Sequence, residues 1–144
     1  MERELKGVGL RSFKNTIVEG QALVTDSPIT FLGFVDHITG KIVQKDHPLY
    51  GLSIKDKILI FPRSSGSTVG PYVLLNIKSH NSAPKAILNR ESDSITVSGC
   101  SVARIPLAYR FDSDPTAITN GALVRLHLRN GTAIVKITEK ETKV

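Results

Sequence analysis

The sequence predicts a strand-rich α+β domain in which one clear helix packs on several short strands. Three observations support this fold class: short β-branched runs are separated by turn residues, one late pair of runs flanks Asn130-Gly131, and one central run has helical periodicity. The chain has 144 residues, of which 40% are hydrophobic and 22% charged, as is typical of globular proteins. This length favours a single domain spanning residues 1–144.

Three strand-like runs precede the helix, and all three are rich in Val, Ile, Leu or Phe. A break is expected at Gly20 in the first run, Gly33 interrupts the second, and Pro62 ends the third. These runs are Thr16–Val24, Ile29–Val35 and Lys57–Phe61. After the helix, short strands are predicted at Ala86–Leu88, Ile95–Val97 and Ser101–Leu107.

The helix is predicted by apolar residues that recur at i, i+3, i+4 and i+8, the spacing of one helical face. These residues are Val69, Tyr72, Val73 and Ile77. We predict a helix from about Thr68 to Ser79, with Ser67 or Thr68 at the N-cap. Pro71 is compatible with this helix because its missing N–H falls in the first turn, where the N–H has no intrahelical partner.

The last predicted element is a β-hairpin. Ala122–Leu128 alternates between two sets of side chains, Asn130-Gly131 supplies a turn with positive φ, and Thr132–Ile137 forms the returning strand. We expect these two strands to pair in antiparallel fashion.

The formal net charge is +6, from 19 basic and 13 acidic residues. This charge is diffuse, because the lysines between positions 41 and 57 are interspersed with Asp46 and Asp56. The chain has no Trp, only 6% aromatic residues and no basic run with interleaved aromatics, so nucleic-acid binding is not expected. A modest positive field suits a small anionic substrate or an acidic partner.

Cys100 is the single cysteine, so the chain can form no internal disulfide and cannot hold zinc or an iron–sulfur cluster alone. Any cluster must then come from a partner chain. The four histidines lack a metal-binding spacing such as HExxH, and we predict no metal ligands. We interpret Cys100 as a small buried residue and His47 as a structural hydrogen-bonding group. Neither a signal peptide nor about 18 consecutive apolar residues occurs, so we expect a cytoplasmic protein without a membrane partner.

The chemistry is predicted to centre on the Gly/Ser loop Arg63–Gly70, which leaves an apolar strand and opens the helix. Unpaired N–H groups and the helix dipole make such a loop able to bind an anion. It matches neither a Walker loop nor GxGxxG, so a polar loop with a capping serine is the alternative. Backbone N–H groups and a cation would stabilise an alkoxide here, so Ser67 could take a proton from carbon with Arg63 as the nearest cation.

A second candidate is the segment Gly33–Gly40, which contains Asp36. Asp36 with Thr39-Gly40 has the composition of a turn that Asp36 caps through its own side chain. The functional alternative is a loop that lines a cleft. The residues alone leave both interpretations open.

Several motifs occur in order between Gly20 and Pro106: Gly20–Val24, Ile29–Asp36, Thr39-Gly40, His47–Gly51, Lys57–Pro62, Gly66–Gly70 and Ala83–Ile87. In this order they resemble the small subunits of archaeal phosphomevalonate dehydratases, a family in the aconitase X group. The chain departs from that family at Ser65, where Arg or Lys usually precedes the Gly-Ser pair, and at Phe34, where Gly is common.

The resemblance implies a swivelling β/β/α domain that works with a separate large subunit, and that subunit carries an iron–sulfur cluster. The implied reaction is dehydration of (R)-5-phosphomevalonate to trans-anhydromevalonate 5-phosphate in the archaeal mevalonate pathway of isoprenoid biosynthesis, with Ser67 as proton acceptor. We therefore expect a lyase subunit that is inactive alone. The residues expected to bind the substrate are Arg63, Ser65, Gly66, Thr68 and Asp36.

Two other functions stay open. A related aconitase X subunit could dehydrate another hydroxy acid, such as a hydroxyproline. A non-catalytic β-domain could instead bind RNA or a protein and use the Gly/Ser loop only as a cap. Nucleic-acid binding that falls steeply with salt would support this last function.

Overall fold

A closed barrel of seven strands forms the framework of residues 2–66 and 70–139, the part of the chain that the computed structural model describes. The strands are β1 (Glu2–Gly9), β2 (Asn15–Val24), β3 (Ile58–Phe61), β4 (Ala86–Asn89), β5 (Leu107–Tyr109), β6 (Leu123–Arg129) and β7 (Thr132–Thr138). The helices are α1 (Gly70–Ser79) and α2 (Ser94–Ala103), and Pro115–Ala117 forms one turn of 3₁₀ helix. The strand order is β1-β5-β4-β3-β2-β6-β7, and β7 pairs with β1.

One half of the barrel is parallel and the other half is antiparallel. Strands β2, β3, β4 and β5 run parallel to one another, whereas β6, β7 and β1 complete the barrel by antiparallel pairing. Parallel neighbours need crossover connections, which α1 and α2 supply between β3 and β4 and between β4 and β5. Because the carboxyl ends of parallel strands meet at one edge, the segments that follow β2, β3 and β4 lie together there.

Alternate residues of the parallel strands pack into two separate cores. In β3, Ile58 and Ile60 belong to the core inside the barrel, together with Val124 of β6. Leu59 and Phe61 belong to a second core on the outside of the parallel strands. This outer core is closed by α1, by α2 and by residues 25–57, which connect β2 to β3.

The two helices pack closely at Gly99 of α2. A Cβ atom at Gly99 would lie 2.5 Å from Cδ1 of Leu74 and 3.2 Å from Cα of Pro71, both in α1. Helix α2 begins after its N-cap Asp93, whose side chain accepts the N–H of Thr96. The helix–helix contact and the cap together fix α2 beside the start of α1.

Several predicted elements are confirmed. The chain has the strand-rich α+β fold, and β6 and β7 form the predicted hairpin. Strands β3 and β4 also lie where short apolar runs predicted them. Helix α1 ends at Ser79 as predicted, while its predicted start at Thr68 lies outside the described residues.

The predicted strand Ile29–Val35 is wrong. Within it, only Ile29 and Val35 make isolated bridges, to Ser64 and Ile42. Some of its apolar side chains, such as Phe31, instead enter the outer core from an irregular connection, whereas Leu32 and Phe34 are exposed.

The predicted strands Ile95–Val97 and Ser101–Leu107 are also wrong, because α2 covers Ser94–Ala103 and only Leu107–Tyr109 forms a strand. The described chain therefore has a second helix, for which Asp93 supplies the cap. Strand β2 runs without the break expected at Gly20, and β1 was not predicted. Neither helix in this part of the chain is long and apolar enough to cross a membrane.

Candidate active site

The Gly/Ser loop leaves β3 at the carboxyl edge of the parallel strands. We call its described residues, Arg63–Gly66, the loop arm. Ser67 and Thr68, the predicted proton acceptor and one predicted substrate ligand, lie outside the described residues. In the element order the loop follows β3 and precedes α1, as predicted. It lies at the carboxyl edge of the parallel strands, where α/β proteins bind ligands.

Ser64 ties the loop arm to the N-terminus of α2. Its N–H donates to Oδ2 of Asp93 at 2.9 Å. Asp93 also accepts the N–H of Thr96 at 2.7 Å through Oδ1 and the hydroxyl of Thr96 at 2.8 Å through Oδ2. The Ser64 hydroxyl therefore donates to Oγ1 of Thr96. Because Ser64 and Thr96 are both buried, this network leaves water little access to the base of the arm.

Ser65 ties the loop arm to the connection after β2. Its N–H donates to the carbonyl of Ile29 at 3.0 Å, and the N–H of Ile29 donates to the carbonyl of Arg63 at 3.3 Å. The hydroxyls of Ser65 and Thr30 are hydrogen-bonded at 2.8 Å. Gly66 follows with φ of +106°, and a Cβ there would lie 2.7 Å from Cγ2 of Thr30. The arm thus needs glycine at Gly66 for both its backbone angle and its close approach to Thr30.

Arg63 provides the positive charge of the loop arm. Its Nε lies 3.8 Å from Oε2 of Glu91, and both side chains are about half exposed. A solvent-exposed ion pair at this distance is weak. The guanidinium therefore remains accessible to an anion at the loop arm.

Asp36 caps a separate turn. Its Oδ1 accepts the N–H of Ile38 at 2.8 Å and the N–H of Thr39 at 3.3 Å. These backbone hydrogen bonds hold the pKa of the Asp36 carboxyl below its usual range. The predicted capping by the Asp36 side chain is confirmed, whereas substrate binding by Asp36 stays a prediction.

The turn around Asp36 packs against the second half of α1. Nδ2 of Asn76 donates to Nδ1 of His37 at 2.5 Å, and the hydroxyl of Ser82 donates to the carbonyl of His37. Helices rise about 1.5 Å per residue, so Asn76 lies about 9 Å along α1 from Gly70. The described contacts therefore bring Arg63, Ser65 and Gly66 together and place Asp36 near the other end of α1.

The residues of this chain do not fit an iron–sulfur cluster. Cys100 is fully buried, and burial raises the pKa of its thiol, to which the charge of Asp93 adds. In residues 2–66 and 70–139, no three His, Cys, Asp or Glu side chains gather as a metal site. His47 accepts the N–H of Leu49 through Nδ1 and donates through Nε2 to the carbonyl of Pro28. The structural interpretations of Cys100 and His47 are confirmed.

Exposed apolar side chains occur on both sides of the loop arm in the sequence. Some lie on the connection between β2 and β3, and others lie on α1, which begins beside the arm. Ile38 and Tyr72 are each 71% exposed. Exposed apolar side chains that form one contiguous patch are typical of protein–protein interaction surfaces. The exposed apolar side chains on these two segments are Leu32, Phe34, Ile38, Val43, Tyr50, Leu52, Tyr72 and Leu75.

Thr30, Asp93 and Thr96 are the site residues that sequence reasoning missed. All three contact the loop arm through side-chain hydrogen bonds, although Asp93 lies 29 positions from Ser64. For Asp93 a signal existed: an Asp directly before an apolar run is typical of a helix N-cap.

The family model of the aconitase X swivel domain matches residues 8–137. The chain therefore belongs to the aconitase X swivel domain family. The crystal structure of Thermococcus kodakaraensis aconitase X in its holo-form superposes with a TM-score of 0.83 at 37% identity, over 95% of this chain and 99% of that chain.

Two archaeal relatives bear the name phosphomevalonate dehydratase small subunit. The protein of Methanocaldococcus jannaschii is 40% identical over 137 residues, which cover 95% of this chain and 99% of the relative. That of Methanococcoides burtonii is 40% identical over 122 residues, 84% of this chain and 89% of the relative. The resemblance found in the sequence motifs is confirmed.

Proposed function

We propose that this chain is the small subunit of a two-chain hydro-lyase that dehydrates (R)-5-phosphomevalonate to trans-anhydromevalonate 5-phosphate. The observation that carries the proposal is the 40% identity to the M. jannaschii small subunit over 95% of this chain and 99% of that relative. The enzyme would act in the cytoplasm, in the mevalonate route to isoprenoids. Neither nucleic acid nor a membrane is a partner in this proposal.

Ser67 is the proton acceptor in this proposal. The reaction breaks a C–H bond beside the carboxylate and the C–O bond on the next carbon, forms a C=C bond between them and releases water. Ser67, as its alkoxide, takes the proton from carbon and becomes a hydroxyl. The departing hydroxyl is protonated from solvent on the side of the partner chain and leaves as water, and Ser67 then returns its proton to solvent. Support comes from the loop arm, which leads directly into Ser67, and from α1, whose N-terminal dipole stabilises negative charge on an oxygen before its first turn.

The loop arm is proposed to bind the anionic groups of the substrate. Arg63 is the accessible cation, and the backbone at Ser65 and Gly66 runs beside Thr30. Thr68 is proposed as a further ligand. Asp36 is proposed to act from the separate turn near the other end of α1, where its Oδ1 already accepts two N–H groups.

A large subunit completes the site in this proposal. Relatives that are named small subunits imply such a partner, and the exposed apolar side chains of the connection and of α1 offer a surface for it. The iron–sulfur cluster expected for this family is proposed to lie in that subunit, since Cys100 is unsuited to hold it. The small chain alone should then be inactive and show no cluster absorption.

The test is Ser67→Ala in the complex with the large subunit. If Ser67 is the base, turnover of 5-phosphomevalonate should fall by about 10²- to 10⁴-fold while subunit association and melting change little. If Ser67 only caps α1, the variant should lose about 1 kcal/mol of stability and keep its turnover. Thr68→Ala is the comparison: as the loss of a proposed substrate ligand it should raise KM for 5-phosphomevalonate, while kcat should fall far less than in Ser67→Ala.

Further outcomes bear on the rest of the proposal. Turnover by the small chain alone would contradict the two-subunit arrangement, and faster turnover of a hydroxyproline would reassign the substrate. If Arg63→Ala and Asp36→Ala leave both association and turnover unchanged, the substrate site has been misplaced.

A further inference from the structure

The carboxylate of Asp93 joins two elements that the sequence separates, α2 and the loop arm. We propose that Asp93 is a positioning residue: by accepting the N–H of Ser64, it holds the loop arm in the placement from which Ser67 abstracts the proton. The proposal rests on the function proposed above. It adds a residue that touches neither substrate nor cofactor and acts through the backbone of the loop.

The hydrogen bonds of Asp93 exceed what an N-cap requires. A cap needs one oxygen that accepts an N–H of the first turn, which Oδ1 provides for Thr96 at 2.7 Å. Oδ2 accepts two further donors, the Thr96 hydroxyl and the N–H of Ser64. Ser64 is buried, so leaving its N–H without an acceptor would lower the free energy of unfolding.

Asp114 is an N-cap residue without a positioning role. Its Oδ1 accepts both the N–H and the hydroxyl of Thr116, at 2.9 and 2.7 Å, at the start of the 3₁₀ turn. Its Oδ2 lies 3.5 Å from Nη1 of Arg90. The described contacts of Asp114 thus include no residue of the loop arm, which makes it a matched control for Asp93.

The loop arm is short enough to transmit a shift at Ser64. Asp93 holds it on the α2 side, and one residue later Ser65 is held by Thr30 on the other side. Gly66 follows with little steric freedom beside Thr30. A misplacement of about 1 Å in a reacting group is able to lower a rate by about 10²-fold. Loss of the Asp93 contact should therefore appear in the chemical step.

Asp93→Ser separates capping from positioning. Serine is a good N-cap, so its hydroxyl should still accept the N–H of Thr96, but a single oxygen cannot serve Ser64 as well. In the complex with the large subunit, kcat for 5-phosphomevalonate should fall by about 10²-fold. The deuterium isotope effect on kcat, with substrate deuterated beside the carboxylate, should rise because proton abstraction becomes slower than product release.

Two measurements distinguish a loss of stability in Asp93→Ser from a loss of loop positioning. The Ser64 amide of the full chain, followed by NMR hydrogen exchange, should exchange faster in Asp93→Ser. The melting temperature should fall modestly, because the buried Ser64 N–H loses its acceptor while the cap of α2 is kept. Partial unfolding would lower kcat without changing the isotope effect. Asp114→Ser should leave kcat, the isotope effect and Ser64 exchange unchanged. If Asp93→Ser fails to fold, Asp93→Asn, which keeps one acceptor oxygen, takes its place.

The proposal is overturned if Ser64 exchanges faster in Asp93→Ser while kcat stays within about twofold of the wild type. It is also overturned if Ser64 exchange does not change, or if Asp114→Ser loses as much activity as Asp93→Ser. Ser67→Ala distinguishes this failure from that of the proposed function. A large loss with Ser67→Ala and none with Asp93→Ser rejects the role of Asp93 alone, whereas normal turnover by Ser67→Ala rejects Ser67 as the base.

Discussion

Gly66 is the residue at which the loop arm is most tightly constrained. Its φ of +106° lies where side-chain-bearing residues rarely occur, and a Cβ would lie 2.7 Å from Cγ2 of Thr30. Gly33 has a comparable φ of +82°, but a Cβ there would meet nothing within 4 Å. Comparing the two glycines therefore separates the free-energy cost of the backbone angle from that of the contact with Thr30.

Gly66→Ala should lower the free energy of unfolding by more than Gly33→Ala does. Backbone strain costs about 1–3 kcal/mol at either position, and the Thr30 contact adds to it only at Gly66. Denaturant unfolding of both variants measures the difference. A second substitution, Thr30→Ala, should recover part of the loss in Gly66→Ala. Equal losses at the two glycines would show that Thr30 gives way without cost.

The contacts of single residues explain why the candidate site was only half predictable. The Gly/Ser loop could be read from neighbouring residues, since a strand, a glycine and a helix start adjoin there. The residues that hold it could not. Ser64 and Asp93 are hydrogen-bonded only because α1 and β4 bring the chain back to the same edge of the sheet. The spacing of residues along the sequence does not predict this long-range contact.

Helix α2 is the element for which sequence patterns predict the wrong secondary structure. Its apolar residues Ile95 and Val97 favour a strand, and Gly99 disfavours a helix. The helix forms nonetheless because Asp93 caps it and Gly99 lets it approach α1 closely. The β6–β7 hairpin shows the opposite case, since the turn at Asn130-Gly131 is specified locally and was predicted correctly.

Gly99→Ala should destabilise the protein although alanine is the better helix former. The added Cβ would lie 2.5 Å from Cδ1 of Leu74 and 3.2 Å from the backbone of Pro71, and overpacking of this kind costs about 1–3 kcal/mol. Ser98→Ala is the control, because Ser98 is exposed on the same helix and should be neutral or slightly stabilising. Thermal and denaturant unfolding of both variants provide the comparison. A Gly99→Ala variant as stable as the wild type would contradict the close packing of α1 and α2.

At the scale of the whole molecule, three carboxyl groups of the described residues have a lowered pKa and contribute to the response to acid. The N–H of Ile38 is the main cause that holds the pKa of Asp36 below its usual range. The hydroxyl of Thr119 does the same for Glu139. Burial acts to raise the pKa of Asp114, but the groups that surround it, Thr116 among them, lower it on balance.

These shifts make stability fall in acid. A lowered native pKa means that the unfolded chain binds more protons between the native and unfolded values, so the stabilisation is complete above about pH 5 and is lost as the pH falls through the native pKa values. We expect a melting temperature that is nearly constant from about pH 7 to 5 and falls below about pH 5. Asp36→Asn, whose amide oxygen still accepts N–H groups but does not titrate, should lose less on acidification. An identical pH profile for the variant would exclude a contribution from Asp36.

The pairing of β1 with β7 also constrains the order in which the chain can fold. Glu2 pairs with Thr138 and Val8 with Thr132, so the contacts that close the barrel span nearly the full sequence. Contacts of such high contact order form slowly, since a long loop must be closed before they are gained. During synthesis β1 leaves the ribosome early and must wait for β5 and then β7, its two partners, while β2, β3, β4 and their helices can already pair. Nascent chains should therefore expose the edges of an open sheet until β7 emerges, which makes this interval the one in which a chaperone would protect the protein most.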